Sequence, residues 1–423
     1  MLAAMPPTRA PSPDQGESLI RDRGDACPGA LRLHRADDGR LARLRLPGGL
    51  LTSRQAAVLG TAAERLADGN LSITSRGNIE LRGLGESCGG ELSRLLADAG
   101  LLPSERHERV RNIVASPLAG TDGLGHADLR WWVRELDALL CAEEWTTDLS
   151  GRFLFALDDG RGDVARLGGD VTLIAESGGT AVVRLGGRAF RVAAADAPRA
   201  ALAAAGAFRA AAGNGAWRVG ELPGGHPVDV AGALAQAGVD AGPAEAWAVS
   251  RSAPPAPGVV GRAVAVHARL GRVTAAQWRA LLPLPADELR VTPWRGFVLP
   301  GFADGADARA RLRALADAGY LTTADSPWLG VGACTGRPGC AKSLADVRAD
   351  AVPGAGGLPV HWSGCERRCG HPRGDWVDVL ATGDGTYEVT VRVPGEEWTP
   401  VTGGTLTETV TTARTTPTTT ATK

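Results

Sequence analysis

Two short cysteine clips constrain this chain more than any other feature of its sequence. Cys334 and Cys340 are separated by five residues, and after 24 more residues Cys365 and Cys369 are separated by three. Four thiolates from two such clips can bind a [4Fe-4S] cluster once a fold brings the clips together. Zinc sites usually space each pair by about two to four residues, so the first gap disfavours zinc. A disulfide pair is the other alternative, and it is disfavoured because nothing in the chain resembles a secreted protein.

Glycines crowd both clips, whereas the remaining cysteines stand alone. The glycines are Gly332, Gly336, Gly339, Gly364 and Gly370. A glycine leaves backbone amides free to turn toward cluster sulfurs where a Cβ would block them. Cys27, Cys88 and Cys141 have no partner at ligand spacing. We therefore predict that these three are not cluster ligands.

The composition excludes several classes of protein. The net charge is −1, so no electrostatic footprint for nucleic acid or an anionic membrane is present. No stretch approaches the ~20 apolar residues of a membrane span, and the first residues lack the pattern of a secretory signal. We therefore expect a cytoplasmic location. Of the 46 basic residues, only Lys342 and Lys423 are lysines.

An internal duplication organises the chain. The segment 71–84 matches 289–302 without gaps, with Thr74 on Thr292 and Gly83 on Gly301. The pattern predicts an α+β fold with pseudo-twofold symmetry, in which two ferredoxin-like half-domains are each followed by an α/β module, with the active cleft between the halves. The predicted units are a disordered N-terminus (1–17), half-domain 1 (18–105), a cluster-free α/β module (106–250), a linker (251–258), half-domain 2 (259–318), a cluster-binding α/β module (319–400) and a disordered threonine-rich tail (401–423).

The cysteine clips also carry a resemblance to a known family. The clips read Ala333-Cys334-x5-Cys340 and Ser363-Gly364-Cys365-x3-Cys369-Gly370-His371-Pro372. This pattern resembles the cluster signature of the sirohaem-dependent sulfite and nitrite reductase superfamily. Within that superfamily, the chain from about Ser18 to Pro400 is similar to the precorrin-3B synthases, which are oxygen-dependent enzymes of aerobic cobalamin biosynthesis.

The resemblance implies three arginines that contact the substrate. In the reductase relatives, arginines of the first half face a tetrapyrrole beside the cluster. Arg76 lies in a matching Thr-x-Arg strand, and Arg111 precedes Asn112 in a matching Arg-Asn segment. Arg152 stands where the reductases have the first lysine of a Lys-x-Lys pair, and the second lysine falls on Leu154.

The missing lysines favour a synthase over a reductase. Reduction of sulfite or nitrite needs protons delivered to bound oxygens, which lysine can supply and arginine cannot near neutral pH. A precorrin carries many carboxylates, and the planar guanidinium of Arg76, Arg111 or Arg152 suits them. For any one of these arginines, a solvated surface position remains the alternative.

The resemblance implies a monooxygenase that converts precorrin-3A to precorrin-3B by hydroxylating a meso carbon and closing an acetate to a lactone. Its other partners would be molecular oxygen and an electron donor, either reduced nicotinamide or a ferredoxin system. A mononuclear non-haem iron is also implied, and its ligands cannot be placed, although His361 and His371 flank the second clip. The alternatives are a reductase that binds sirohaem and a non-catalytic iron–sulfur electron carrier.

Overall fold

The computed structural model describes residues 25, 27–213, 215–245 and 252–417. The first ferredoxin-like half is the first unit in this part of the chain. Its elements are β1 (His34–Ala36), β2 (Gly39–Leu44), β3 (Leu50–Leu51), α1 (Ser53–Leu66), β4 (Asn70–Ile73), β5 (Ile79–Leu84) and α2 (Gly89–Asp98). Thr52 caps α1 in a capping box with Gln55, as its position before the apolar stripe predicts. The N-terminus predicted to be disordered, 1–17, lies outside the described residues.

The first α/β module follows directly. Its elements are β6 (Ile113–Ala115), α3 (Arg130–Ala142), β7 (Phe155–Asp158), β8 (Val171–Ala175), β9 (Thr180–Leu185), β10 (Arg188–Ala193), α4 (Ala197–Ala211), α5 (Val230–Gln236) and β11 (Ala241–Pro243). They form one sheet in the order β11-β10-β9-β8-β7-β6. The sequence predicts a strand over 151–157, but β7 begins only at Phe155 because Gly151 turns to donate its amide to Asp25 at 2.7 Å.

The second half repeats the arrangement of the first. Its elements are β12 (Gly258–Val260), β13 (Ala263–His267), β14 (Arg272–Thr274), α6 (Ala275–Ala280), β15 (Leu289–Val291), β16 (Gly296–Pro300) and α7 (Gly305–Asp317). Thr274 caps α6 in a capping box with Gln277, which repeats the cap of α1. One hydrophobic core serves both halves, and Trp278 lies in it with its Nε1 donating to the carbonyl of Ala56 at 2.6 Å.

The second α/β module carries the cysteine clips. Its elements are β17 (Val331–Ala333), α8 (Val347–Asp350), β18 (Val360–Ser363), β19 (Trp376–Gly383), β20 (Thr386–Arg392), β21 (Thr399–Pro400) and α9 (Leu406–Thr415). The sheet order is β17-β18-β19-β20-β21, and the first two pairings are parallel. The strands β6, β7 and β8 of the first module pair in the same way.

Each half donates one strand to the sheet of the other, which confirms the pseudo-twofold duplication. The short strand β3 pairs with β15, with Leu51 opposite Leu289. Reciprocally, β14 pairs with β4, with Val273 opposite Leu71. The two sheets therefore have the equivalent orders β1-β2-β5-β4-β14 and β12-β13-β16-β15-β3. Neither half completes its sheet alone.

The turns of the two central hairpins are also equivalent, in the register of the ungapped match. The amide of Thr74 donates to the carbonyl of Asn78, and the amide of Thr292 donates to that of Gly296, both at 2.9 Å. The hydroxyl of the threonine accepts the opposite amide in each turn, both at 3.1 Å. The tips of these two hairpins lie against each other, because a Cβ at Gly77 would contact the carbonyl of Val291.

The tail predicted to be disordered is partly helical, so that prediction is wrong for 406–415. Thr405 caps α9 in a capping box with Glu408, and Val410 and Ala413 are fully buried against the second module. The buried side chain of Arg414 donates to backbone carbonyls, including that of Leu329 at 2.7 Å. A Thr-x-x-Glu signal was therefore present within the threonine-rich composition. None of the helices in the described residues is long and apolar enough to cross a membrane.

Candidate functional site

The two cysteine clips lie side by side because they follow adjacent parallel strands. Cys334 comes directly after β17, and Cys365 comes two residues after β18. The amide of Cys334 donates to the carbonyl of Trp362 at 2.9 Å, which continues the ladder into the first clip. Since parallel strands end at the same edge of a sheet, both clips project from that edge.

Hydrogen bonds lock the two clips together. The amide of Gly364 donates to Sγ of Cys334 at 3.3 Å, and its carbonyl accepts from the amide of Leu344 at 2.8 Å. A Cβ at Gly364 would overlap the hydroxyl of Ser343, so only glycine permits this approach. Burial raises the pKa of the Cys334 thiol, and the amides of Gly364 and Gly336 offset part of that shift by donating to the sulfur.

The four predicted ligands are free thiols with different exposures. Cys334, Cys340 and Cys365 are half-buried, and Cys369 is exposed. Among the described residues, no three of these sulfurs lie within 4.8 Å of one another. A tetrahedral zinc site with bonds near 2.3 Å would bring its sulfurs to about 3.8 Å. The described sulfurs therefore do not have the spacing of a tetrahedral zinc site.

Two half-buried arginines give the clips a positive environment. Arg348 donates weakly to the carbonyl of Ala333 at 3.5 Å, and its Nε has no hydrogen-bond partner. Burial lowers the pKa of Arg348 to about 10, and neighbouring arginines add to that effect. Within the described part of the chain, neither Arg348 nor Arg295 forms an ion pair with a carboxylate. A cluster held by four thiolates is an anion, so the donor set and its surroundings fit a [4Fe-4S] group.

The two histidines beside the second clip do not come together as an iron site. His361 is fully buried, and its Nε2 donates to the carbonyl of Cys369 at 2.9 Å. Burial lowers the pKa of His361 to about 3, with the positive charge of Arg295 adding to the effect. His371 stacks on Trp376 with ring centroids 5.0 Å apart. In the described residues, neither histidine belongs to a group of three ligand atoms at the spacing of a single metal ion.

A cavity of about 620 Å³ adjoins the second clip. Both central hairpin tips line it, through Arg76 from the first half and through Trp294 and Arg295 from the second. The linker contributes Pro254–Pro257, and the chain after Cys369 contributes Gly370–Arg373. The cavity therefore lies where the halves and the cysteine-bearing module meet, which is the cleft that the duplication predicts.

The structure brings one of the three predicted arginines to this cavity. Arg76 lines it, and burial lowers the pKa of Arg76 to about 10, with the charge of Arg218 adding to the effect. Arg111 is buried elsewhere, where Asp137 binds its Nε and Nη2 at 2.7 Å each. Arg152 is exposed, with its guanidinium 5.1 Å from the ring centre of Trp217. Neither Arg111 nor Arg152 is among the residues that line the cavity.

The sequence analysis missed several residues of the cavity wall. Leu154, named only as the missing second lysine, is an apolar wall residue, and no lysine of the described residues lines the cavity. Arg295 and Arg373 were not predicted, although Arg295 falls opposite Gly77 in the match between the copies. The proline-rich composition of the linker predicts only a stiff boundary between the two halves. No local pattern distinguishes a wall segment from a spacer, because the difference depends on what packs beside it.

The first module has oxygen donors where the second has its cysteines. Ser116 follows β6 as Cys334 follows β17, and the amide of Ser116 donates to the carbonyl of Leu157 at 3.0 Å. The hydroxyl of Ser116 accepts the amide of Asp159 at 3.3 Å, which repeats the bond from Gly364 to Cys334. The corresponding edge of the first module thus has no thiol at this position.

Three buried aspartates surround Ser116 at this edge, namely Asp158, Asp159 and Asp163. Asp158 accepts four backbone amides, and Asp159 pairs with Arg161. Burial raises the pKa of Asp163 to about 7, although the hydroxyl of Ser116 offsets part of the shift. Backbone amides, Arg161 and protonation of Asp163 can therefore balance the negative charge of the three aspartates without a bound cation.

Comparisons with known proteins agree with this architecture. Residues 32–99 match the family described as the nitrite/sulfite reductase ferredoxin-like half domain. The solved structure of the NirA protein of Mycobacterium tuberculosis superposes with a TM-score of 0.61 over 86% of this chain and 76% of that chain. The sequence identity is 20%, so this likeness shows the fold alone.

One relative is similar along most of the chain. A precorrin-3B synthase from a Sinorhizobium species is 27% identical over 410 residues, which cover 88% of this chain and 83% of that protein. Ferredoxin–nitrite reductases from Leptolyngbya laminosa and Synechococcus elongatus are 38% and 35% identical over 102 and 127 residues. These matches span only 20% and 25% of the two reductases.

Proposed function

We propose that this chain, which has the fold of the nitrite and sulfite reductases and is similar to a precorrin-3B synthase along most of its length, is an enzyme of cobalamin biosynthesis. Its reaction is the oxygen-dependent conversion of precorrin-3A to precorrin-3B. One oxygen atom of O₂ enters the substrate as a hydroxyl group, and an acetate side chain closes to a lactone. The other oxygen atom leaves as water, which requires two electrons from a reduced nicotinamide or ferredoxin system and two protons, of which the solvent supplies those that the donor does not carry.

The observation that carries this proposal is the cationic cavity beside the cysteine clips, whose described lining contains no lysine. Its volume of about 620 Å³ falls within the range of about 300–1,000 Å³ for small-molecule sites. Arg76, Arg295 and Arg373 line it and can bind carboxylates through planar, bidentate contacts. By the resemblance, Leu154 stands where the reductases have a proton-donating lysine. The cavity therefore suits an acidic tetrapyrrole more than a reductase reaction that consumes many protons.

The residues of the chain have distinct roles in this proposal. Cys334, Cys340, Cys365 and Cys369 hold a [4Fe-4S] cluster, which supplies electrons one at a time when bound. Arg76 binds a substrate carboxylate, since it lines the cavity and its hydrogen bond to the carbonyl of Gly151 is long at 3.5 Å. Trp294, Leu154 and the proline-rich linker exclude water from the macrocycle. A nicotinamide or ferredoxin electron donor and a mononuclear iron are further proposals, which rest on the resemblance alone.

The proposal is tested by anaerobic purification followed by a single assay. The protein, loaded with iron and sulfide, is given precorrin-3A and a reductant with and without ¹⁸O₂. We expect a hydroxylated lactone that carries one labelled atom, and no product without oxygen. Turnover of sulfite or nitrite by protein that carries sirohaem, with no reaction of the precorrin, would instead establish the reductase. A bound cluster with neither activity would favour the electron carrier.

The substrate arginine is tested in the same assay. Loss of one charged contact costs about 1.5–3 kcal/mol, so we expect Arg76→Ala to raise KM for the precorrin about 10- to 150-fold. Arg76→Lys should restore only part of the loss, because a point charge cannot reproduce the bidentate fork. Arg188→Ala is the matched control, since Arg188 is exposed on β10 away from the cavity. Arg111 and Arg152 remain predicted contacts that the same substitutions test.

A further inference from the structure

Arg295 occupies a backbone position that favours glycine. Its φ is +63°, and Gly77, its counterpart at the tip of the first central hairpin, has φ +68°. A left-handed conformation costs a residue with a Cβ roughly 1 kcal/mol or more. The second half of the chain has an arginine here in spite of that cost, which points to a use for the side chain.

Two glycines make room for this side chain. A Cβ at Gly332 would overlap Nη1 of Arg295, and a Cβ at Gly271 would crowd its Cδ. The guanidinium passes between them, and Nη2 donates to the carbonyl of Gly370 at 3.2 Å. Gly370 follows the predicted ligand Cys369. The side chain therefore reaches from a hairpin of the second half to the second cysteine clip.

The charge of Arg295 is not balanced by the protein around it. Burial lowers the pKa of Arg295, and the guanidinium forms no ion pair with a carboxylate of the described residues. Its charge lowers the pKa of His361 and also that of Arg348. Arg295 also lines the cavity. One half-buried cation thus adjoins both the cavity and the cysteine clip.

We propose that Arg295 is a positioning residue that binds a carboxylate of the ligand in the cavity and at the same time stabilises the negative charge of the cluster. Ligand binding and cluster reduction are then linked through one guanidinium, because a bound carboxylate shields the charge that favours the reduced cluster. The identity of the ligand rests on the proposed function. The carboxylate chemistry of the site and the effect on the cluster do not.

The test compares Arg295→Gly and Arg295→Lys with the unaltered protein. Arg295→Gly restores the residue found at the equivalent turn, so the backbone suits it. The first measurement is the midpoint potential of the cluster, followed by electron paramagnetic resonance without substrate. The second is binding of uroporphyrin, a macrocycle with acetate and propionate side chains, by fluorescence titration. Neither measurement requires turnover.

We expect Arg295→Gly to make the midpoint potential more negative and to weaken uroporphyrin binding by about tenfold or more. Arg295→Lys should retain most of the potential and lose part of the affinity. Arg188→Gln is the control, because Arg188 is exposed on β10 and is not among the residues that line the cavity, so it should change neither quantity. Unchanged potential and affinity in Arg295→Gly with full iron content would overturn the inference, even if the precorrin reaction proceeds.

If Arg295→Gly does not retain its cluster, the lysine variant decides. Weaker uroporphyrin binding by Arg295→Lys, at the potential of the unaltered protein, supports the inference. Equal affinity in that variant contradicts it. Failure of the precorrin assay alone changes neither result, so the two proposals can fail independently.

Discussion

At the scale of single residues, the cysteine clips depend on the small groups and charges around them. Gly364 allows the loop before Cys365 to approach Ser343, and its amide donates to Cys334. Arg348 supplies a half-buried positive charge that the described protein does not pair. The thiols, the amide that points at sulfur and the unpaired cation together favour an anionic cluster over a neutral pair of disulfides.

We expect Cys365→Ser to abolish or severely reduce cluster binding, because a cluster corner loses its thiolate. Iron and sulfide analysis together with the visible absorption band measures this loss. Cys141→Ser is the matched control, since Cys141 lies in α3 of the first module and should leave the iron content unchanged. Full iron and sulfide in Cys365→Ser would contradict the ligand assignment, and loss of the band in Cys27→Ala would add Cys27 to the site.

Asp163 should make the stability of the protein depend on pH. Burial raises its pKa from the ordinary value of 3.8 to about 7, so between these values the folded state binds more protons than the unfolded state. This contribution to stability is complete below about pH 4 and is lost as the pH rises through about 7. Asp163→Asn removes the titration, because an amide stays neutral.

The midpoint of thermal unfolding, measured at pH 5 and pH 8, checks this prediction. We expect the unaltered protein to lose more stability between these values than Asp163→Asn does, with the variant more stable at pH 8 by about 1 kcal/mol or more. Asp317→Asn serves as the control, because Asp317 is exposed at the end of α7. Parallel pH profiles for Asp163→Asn and the unaltered protein would show that Asp163 titrates normally.

At the scale of elements, the exchange of β3 and β14 joins the two ferredoxin-like halves. Each short strand completes the sheet of the other half and leads directly into a capped helix, α1 or α6. Gly49, which precedes β3, lies against the backbone of β15, and a Cβ there would overlap the carbonyl of Val291. Such a junction tolerates little change in volume, because the obstacle is backbone and cannot rotate away.

We expect Gly49→Ala to destabilise the protein much more than Gly69→Ala does. Both glycines have a left-handed φ, +71° at Gly49 and +76° at Gly69, so the strain from a Cβ in that conformation is similar at the two positions. That strain costs roughly 1–2 kcal/mol. Nothing lies within 4 Å of a Cβ at Gly69, whereas Gly49→Ala must also displace β3 from β15. Thermal unfolding of both variants measures the difference, and equal losses would show that β3 can shift freely.

At the scale of the whole molecule, the duplicated units have diverged around a shared geometry. Ser116 and Cys334 occupy equivalent ends of equivalent strands and accept equivalent amides, yet only the second is a thiol. Likewise, the two central hairpin tips both reach the cavity, one with Arg76 and the other with Trp294 and Arg295. The symmetric framework thus presents different side chains from its two halves. One wall of the cavity lies beside the cysteine clips, because the segment after Cys369 forms part of that wall.

The sequence by itself determined the features that depend on spacing and period. The four candidate ligands, the duplication with its register and the caps at Thr52 and Thr274 follow from residues close together in the chain. A local pattern also existed for α9, but the threonine-rich composition obscured it. These features are predictable because a cap or a clip is completed within a few residues.

Only the tertiary structure decided which arginines face the cavity. A guanidinium on a long side chain binds whatever carboxylate or carbonyl the fold brings near it. Arg111 matched a family motif, but its guanidinium binds Asp137. Arg295 matched no motif, yet its guanidinium donates to the carbonyl of Gly370, which lies 75 residues later in the chain. Arg76 lines the cavity because the hairpin that carries it meets its symmetry mate there. Partners so distant in sequence leave no periodic signal, so the site was decided by packing.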